Sequence, residues 1–110
     1  MGDLAPKATF DAAAGRDGNG VVRVSGEIDI SAKSLFQERL DDVIDAHDDD
    51  VVVDLAEVSF IDSTGLFVLS QARQRLETAG RKLMIARPSR AVTRVLELAG
   101  LVALFENGVS

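Results

Sequence analysis

The run Asp62-Ser63-Thr64-Gly65 contains the side chains of this sequence that are best placed for chemistry. It follows a strand-like stretch and precedes a helix-like one, so we expect it to lie in the turn where a helix begins. An oxygen of Asp62 or of Ser63 can accept a hydrogen bond from a free backbone N–H of that helix, and such an N-cap contributes about 1 kcal/mol. The Ser63 hydroxyl can alternatively be the target of a covalent modification.

Catalysis by a serine nucleophile would need a base within hydrogen-bond reach. The one histidine, His47, follows the first predicted helix, where a histidine interacts favourably with the helix dipole. A hydrolase could instead use carboxylates of the predicted loops, namely Glu27, Asp29, Glu57 and Asp62. Acidic loop residues are more often solvated than catalytic, and no regular metal-ligand spacing is present. The sequence therefore favours no catalytic residue, no metal and no cofactor.

A phospho-aspartate receiver is another alternative, because Asp54 lies near the end of the strand VVVDL. The alternation of that strand directs Asp54 to the open face of the sheet. The first strands supply no adjacent acidic pair before a helix, and no lysine-proline pair follows the last strand. The receiver interpretation fails at these three places.

Length and composition limit the class of protein. The 110 residues fit one domain, predicted to span residues 1–110 with its core at about 9–105. The chain has no run near the roughly 18 apolar residues of a membrane span and no secretory signal at its start, so we expect a cytoplasmic protein without membrane insertion. It has no cysteine, and its net charge of −6 opposes binding to nucleic acid. A protein partner fits this charge better.

Hydrophobic periodicity predicts the elements around the candidate turn. Strands alternate with amphipathic helices in the order ββαβαβα, with Ser31 and Ser89 as helix N-caps and Gly100 as a left-handed stop. The strands alternate between apolar and wetter positions, which predicts an α/β fold with a mixed sheet of four or five strands and helices packed on one face. The carboxyl ends of the parallel strands then gather three loops: Glu27 to Asp29, Glu57 to Gly65, and Arg87 to Arg90.

The helix after Gly65 has one unusual feature. Its apolar residues cluster on one side, but Phe67 falls in the middle of the face that carries Ser70, Gln71 and Gln74. A phenylalanine is thus predicted on the wet side, close to Ser63. Such an aromatic is either incidental or an anchor for a partner.

Taken together, these segments resemble the anti-sigma factor antagonists, which are members of the STAS domain superfamily. The resemblance runs from about Val21 to Phe105 through four segments: VSGEIDI, VVVDLAEVSFIDSTGL, AGRKLMIARPSRAVTRVLELAGL and a final LF. The family's phospho-acceptor is the serine after the aspartate of its D-S-[ST]-G motif, which corresponds to Ser63. We expect Asp29, Asp62, Thr64 and Gly65 to contact a partner together with Ser63. Phe67 joins this predicted set through its place on the helical wheel, because the family residue that matches it is often small and a bulky aromatic there marks a particular partner.

The resemblance implies a function in partner switching. The unmodified domain binds an anti-sigma factor that is also a serine kinase and thereby frees a sigma factor. Phosphorylation ends the binding, and a serine phosphatase restores it. In this scheme the domain is a ligand and a substrate, not an enzyme, and ATP and magnesium belong to the partner kinase.

The sequence leaves several alternatives open. A STAS scaffold subunit of a lipid-transport ABC complex also carries a D-S-x-G-L run, and an anion-transporter tail is a third possibility that the absence of a span disfavours. Asp29 and Asp62 would repel a phosphate on Ser63, whereas Arg87 or Arg90 could pair with it. Family members commonly continue into a further helix after LVALFENGVS, so a truncated C-terminus is an open alternative.

Overall fold

The structure is a computed structural model that describes residues 7–15 and 18–102. One mixed sheet has the order β1-β2-β3-β4, in which β1 is antiparallel to β2 while β2, β3 and β4 are parallel. The elements in chain order are β1 (Ala8–Ala14), β2 (Gly20–Ile28), a 3-10 turn (Ile30–Ala32), α1 (Lys33–Ala46), β3 (Val51–Ile61), α2 (Ser63–Thr78), β4 (Leu83–Ala86) and α3 (Arg90–Ala99). The predicted α/β domain and its element order are confirmed. The predicted final LF segment lies outside the described residues.

The core lies between the sheet and its helices. Alternate residues are buried in the first halves of β2 and β3. The helices α1 and α2 pack against each other, α1 on β1 and β2 and α2 on β3 and β4. Phe36 of α1 stacks on Phe10 of β1 with 5.2 Å between the ring centroids. The helix α3 lies against β3 and buries Val92 and Leu96. No helix among the residues described is long and apolar enough to cross a membrane.

The parallel strands differ in length from the prediction, and this changes which loops meet. Strand β3 continues to Ile61, so Glu57 lies within the strand and not in the loop after it. Strand β4 ends at Ala86, which is paired with Asp54. Asp54 precedes Ile61 by seven residues, about 23 Å of extended strand. The loop after β4 therefore lies well away from the ends of β2 and β3.

Asp54 connects this third loop to the sheet. Its Oδ2 lies 2.6 Å from Nη2 of Arg87 and 3.4 Å from Nε of Arg23, and its Oδ1 accepts a hydrogen bond from the N–H of Ala56 at 3.1 Å. The alternation predicts that Asp54 lies on the open face of the sheet, and its ion pairs with the exposed side chains of Arg23 and Arg87 agree with that face. The residue is nevertheless only 6% exposed, because these arginines cover it. Arg87 has a φ of 49°, a left-handed conformation that residues other than glycine rarely adopt. The ion pair with Asp54 fixes this turn.

The ionisation of Asp54 follows from these contacts. Burial by itself would raise the pKa of Asp54, but the hydrogen bonds from Arg87 and Ala56 and the charge of Arg87 outweigh it and lower the pKa below its ordinary value. A lowered pKa in the folded state means stabilisation that is present above the unfolded carboxyl pKa of about 3.9 and is lost as the pH falls through the folded value. Asp54 should therefore contribute to stability at neutral pH and not in acid.

The variant Asp54→Asn tests this contribution. We expect its free energy of unfolding at pH 7 to fall by about 1–2 kcal/mol, because a charged acceptor of several hydrogen bonds is replaced by a neutral amide. The deficit should shrink below about pH 4, where the parent loses the same charge. Urea unfolding at pH 7 and pH 3 measures both values. Asp48→Asn, at an exposed position after α1, is the control, and a deficit equal at both pH values would contradict the assignment.

Candidate functional site

Asp62 and Ser63 were both candidates for the N-cap of α2, and the structure assigns the cap to Asp62. Asp62 is the N-cap of α2, and its Oδ1 accepts hydrogen bonds from the N–H groups of Thr64 at 2.9 Å and Gly65 at 3.4 Å. Within the described part of the chain, the hydroxyl of Ser63 makes no hydrogen bond and its side chain is exposed, whereas Thr64 is half-buried. Because the cap is supplied by Asp62, the Ser63 hydroxyl is available for another purpose.

Gly65 sets how closely α2 approaches the sheet. A Cβ atom at this position would lie 2.7 Å from Cγ1 of Ile61 and 2.9 Å from Cγ2 of Ile28, both shorter than real Cβ contacts. Only a residue without a side chain lets the first turn of α2 rest on the ends of β2 and β3. Gly65 is buried, so any effect that it has on partner binding is indirect, through the position of Ser63.

A second capped turn lies beside the first. Asp29 follows β2 and caps the 3-10 turn, where Oδ1 accepts a hydrogen bond from the Ser31 N–H at 2.9 Å. The prediction that Ser31 is the N-cap was therefore wrong, since Ser31 donates to the residue that serves as the cap. The N–H of Asp62 donates to the carbonyl oxygen of Ile28 at 3.3 Å and joins the two turns. Asp29 and Ser63 thus lie at the same edge of the sheet.

The ionisation state of Asp29 matches this capping role. The hydrogen bond from the Ser31 hydroxyl, together with that from the Ser31 N–H and the nearby positive charge of Lys7, holds the pKa of Asp29 below its ordinary value. Lys7 directly precedes β1, and its carbonyl oxygen accepts a hydrogen bond from the Glu27 N–H at 3.0 Å. Asp29 is thus a carboxylate at neutral pH, and Lys7 places a positive charge near it.

Phe67 lies on the outside of α2, as its position on the helical wheel predicted. It is 48% exposed, whereas Leu66, Val68 and Leu69 of the same turn are buried. Nζ of Lys33, the first residue of α1, lies 5.2 Å from the centroid of the Phe67 ring, which is a cation–π contact. Ser63 and Phe67 are four residues apart and therefore face the same side of the helix.

Sequence reasoning missed three residues near this edge. Ile30, directly after Asp29, is 71% exposed, and Phe60, two residues before Asp62, is 46% exposed. The signal that could have identified Ile30 is an apolar residue between two polar turn residues, with no strand or helix to bury it. Phe60 alternates with the buried Ile61 and lies on the other face of β3. Lys33 could not be identified from the sequence, because its contact with Phe67 joins two helices that are distant along the chain.

The groups that a hydrolytic enzyme would use are dispersed. His47 follows the C-terminus of α1, and a Cβ on Gly20, at the start of β2, would lie within 2.9 Å of its ring. It is therefore at the opposite end of the parallel strands from Ser63. Glu57 lies inside β3, away from Asp29 and Asp62. Among the described residues, no group of three or more histidines and acidic residues is arranged to hold a metal ion.

The two arginines considered as partners of a phosphate on Ser63 lie elsewhere. Arg87 pairs with Asp54, and Arg90 begins α3 next to Ser89, whose N–H donates to the carbonyl oxygen of Leu55 at 3.2 Å. Leu55 is six residues before the end of β3, about 20 Å along the strand. Neither arginine adjoins Ser63 in this conformation.

A recess of about 350 Å³ runs between α1 and α2. Its lining includes Gln71 and Gln74, and Arg75 crosses it to form ion pairs with Asp41 and Asp45. Both carboxylates come from α1, so these ion pairs connect the two helices. Because the charge of Arg75 is already balanced, the recess offers an anion no free cation, and we place the candidate site at the start of α2.

Comparisons with known proteins agree with this architecture. A profile of the STAS domain matches residues 12–109. RsfB, an anti-sigma-F factor antagonist of Mycobacterium tuberculosis, is 28% identical over 101 residues, which cover 92% of this chain and 82% of that protein. The crystal structure of an anti-sigma factor antagonist from Mycobacterium paratuberculosis superposes with a TM-score of 0.79 at 30% identity and covers 92% of this chain and 86% of that one.

SpoIIAA, a Bacillus cell fate determinant, has the same fold in two states. Its unphosphorylated form matches with a TM-score of 0.75 at 22% identity over 87% of this chain and 84% of that one. Its phosphorylated form matches with a TM-score of 0.71 at 19% identity over 93% of this chain and 89% of that one. Because the domain profile covers most of the chain and the fold agrees with these structures, the protein belongs to the STAS domain family.

Proposed function

We propose that this protein is an anti-sigma factor antagonist that works by partner switching. Unmodified at Ser63, it binds an anti-sigma factor and so frees a sigma factor for transcription. Phosphorylation of Ser63 ends this binding. The observation that carries the proposal is the exposed Ser63 hydroxyl, left without a hydrogen bond among the described residues because Asp62 caps the helix.

The position of Ser63 suits a switch that leaves the fold intact. A phosphate adds about −1.5 to −2 charge at neutral pH, and a helix N-terminus tolerates an anion because its dipole and free N–H groups favour negative charge. The cap and the packing of Gly65 do not use the hydroxyl. We therefore propose that the modification changes the surface that a partner meets and not the stability of the domain.

The partner that fits this surface is an anti-sigma factor that is also a serine kinase. Its docking face on this protein would include Asp29, Asp62, Ser63, Thr64 and Phe67. The kinase would supply ATP and magnesium, and a serine phosphatase would reverse the reaction in the cytoplasm. Because His47 and the carboxylates of the loops lie far apart, they do not form an enzyme active site, and this supports the role of the protein as a substrate and a ligand. The curated relative RsfB, an anti-sigma-F factor antagonist, supports this class of partner.

The identity of the acceptor is the first test. We expect incubation with the cognate kinase and ATP to add one phosphate to the parent protein and none to Ser63→Ala, with intact-mass spectrometry as the measurement. Thr64→Ala should still take up one phosphate, because the half-buried Thr64 hydroxyl is not the expected acceptor, and Thr78→Ala, at the exposed far end of α2, is the matched control that should be phosphorylated at the parent rate. Phosphate on Ser63→Ala at the parent level would mean that another residue is the acceptor.

The second test separates surface change from unfolding. Ser63→Glu should keep the parent fold, because a carboxylate at a helix start is favourable, and it should bind the kinase at least tenfold more weakly. Gln74→Glu adds the same charge to the outer face of α2, two turns beyond Phe67, and should bind normally. Circular dichroism, thermal melting and calorimetric titration provide the data. A melting temperature lowered by more than about 8 °C, the effect of roughly 1–2 kcal/mol in a domain of this size, would indicate that the modification acts by unfolding.

The third test concerns Phe67 as an anchor. Because the ring is half-exposed, Phe67→Ala should lower the free energy of unfolding by at most about 1 kcal/mol, whereas a fully buried phenylalanine such as Phe36 should cost about 3–5 kcal/mol. Binding to the kinase should weaken at least tenfold, since central aromatics at interfaces typically contribute about 2 kcal/mol or more.

The control for Phe67 is Leu98→Ala. Leu98 is 79% exposed on α3, so its truncation removes exposed apolar area away from the candidate site and should leave affinity unchanged. Normal kinase binding by folded Phe67→Ala would remove this residue from the docking face.

A further inference from the structure

Few positive charges lie near Ser63, because Arg87 and Arg90 are held elsewhere in the fold. Arg87 is bound by Asp54, and Arg90 follows Ser89, whose N–H donates to the carbonyl oxygen of Leu55. Among residues 7–15 and 18–102, two lysines lie at this edge of the sheet. Lys7 lies close enough to Asp29 to lower its pKa, and Lys33 rests on the Phe67 ring.

The geometry brings Lys33 within reach of a group attached to Ser63. Phe67 lies one helical turn after Ser63, so their Cβ atoms are separated by about 5–6 Å on one face of α2. Nζ of Lys33 is 5.2 Å from the ring centroid, and it ends a flexible four-carbon chain that can swing across this distance. Asp29 and Asp62 supply negative charge at the same edge, and Oδ1 of each is hydrogen-bonded to a backbone N–H, that of Ser31 and that of Thr64.

We propose that Lys33 couples phosphorylation of Ser63 to the shape of the docking face: its ammonium lies over the Phe67 ring when Ser63 is unmodified, and it leaves the ring to pair with the phosphate when Ser63 is modified. This inference rests on the proposed modification of Ser63. A phosphate of about −1.5 to −2 charge attracts an ammonium more strongly than the quadrupole of an exposed ring does. When Lys33 moves to the phosphate, the Phe67 ring loses its cation–π contact. One modification therefore changes both the charge of the docking face and the environment of its aromatic ring.

The position of Lys33 can be measured without any kinase. Phosphoserine is incorporated at position 63 during synthesis, and the Hε resonances of Lys33 are followed in protein labelled with ¹³C-lysine. In the unmodified protein we expect these resonances to be shifted upfield by the ring current, and the shift should disappear in Phe67→Leu. In the phosphorylated protein they should move to the values of a solvent-exposed lysine. An unchanged upfield shift after phosphorylation would overturn the proposal.

The phosphate provides a second measurement. Its second pKa is about 6, and a paired ammonium lowers it, so Lys33→Gln should raise the value. An exposed ion pair of ordinary strength corresponds to a rise of about 0.2–0.7 pH unit, measured by ³¹P NMR titration. Lys7→Gln is the matched control and should produce less than half of this change. Equal changes in the two variants, or a larger change for Lys7→Gln, would contradict the assignment to Lys33.

The two hypotheses fail separately. If Lys33 stays on the ring while phosphorylation still abolishes kinase binding, the inference about Lys33 is wrong and the partner-switching function stands. If Lys33 moves to the phosphate but the unmodified protein binds no anti-sigma factor, the local rearrangement stands and the proposed function is wrong.

Discussion

The first turn of α2 rests directly on the ends of β2 and β3, and this contact is possible only because position 65 has no side chain. Any Cβ there would collide with Ile28 and Ile61. The close approach places Asp62 where it can cap the helix and link to the carbonyl oxygen of Ile28. The Ser63 hydroxyl then makes no hydrogen bond among the described residues, and its side chain faces outward. The glycine and the aspartate of the motif are thus explained by packing and capping, and the serine is left for function.

The arrangement also explains how a domain could be modified without being unfolded. The interactions that hold the turn are made by Asp62 and Gly65, and both are independent of the Ser63 hydroxyl. What a phosphate would change is the surface, where Phe67 and Lys33 lie within one helical turn.

Much of the fold could be predicted from the sequence because the relevant signals are local. Alternation identified the strands, Ser89 and Gly100 marked the ends of α3 as the structure shows them, and the helical wheel placed Phe67 outside. The signals that failed depend on contacts between distant segments. The alternation of its strand places Asp54 on the open face of the sheet. Only its contacts with Arg87 and Arg23, which are remote in sequence, show that it is buried there.

The lengths of the strands could not be predicted from the sequence either. The pattern predicts a strand-like stretch before Asp62 but places Glu57 in a loop, whereas β3 continues without a break to Ile61. The bulge that alters the pairing of β3 with β2 is a property of the sheet. The prediction therefore brought the Arg87 loop to the same edge as Asp29 and Ser63. The register of β4, which ends beside Asp54, shows that only two of the three loops meet there.

The most direct test of the account is a competition assay with a complex of the cognate anti-sigma factor and its sigma factor. Added in excess, the unmodified protein should displace the sigma factor, and the same protein carrying phosphoserine at position 63 should leave the complex intact. Size-exclusion chromatography or fluorescence anisotropy of labelled sigma factor follows the release. Retention of the sigma factor in the presence of the unmodified protein, or equal release by both forms, would contradict partner switching at Ser63.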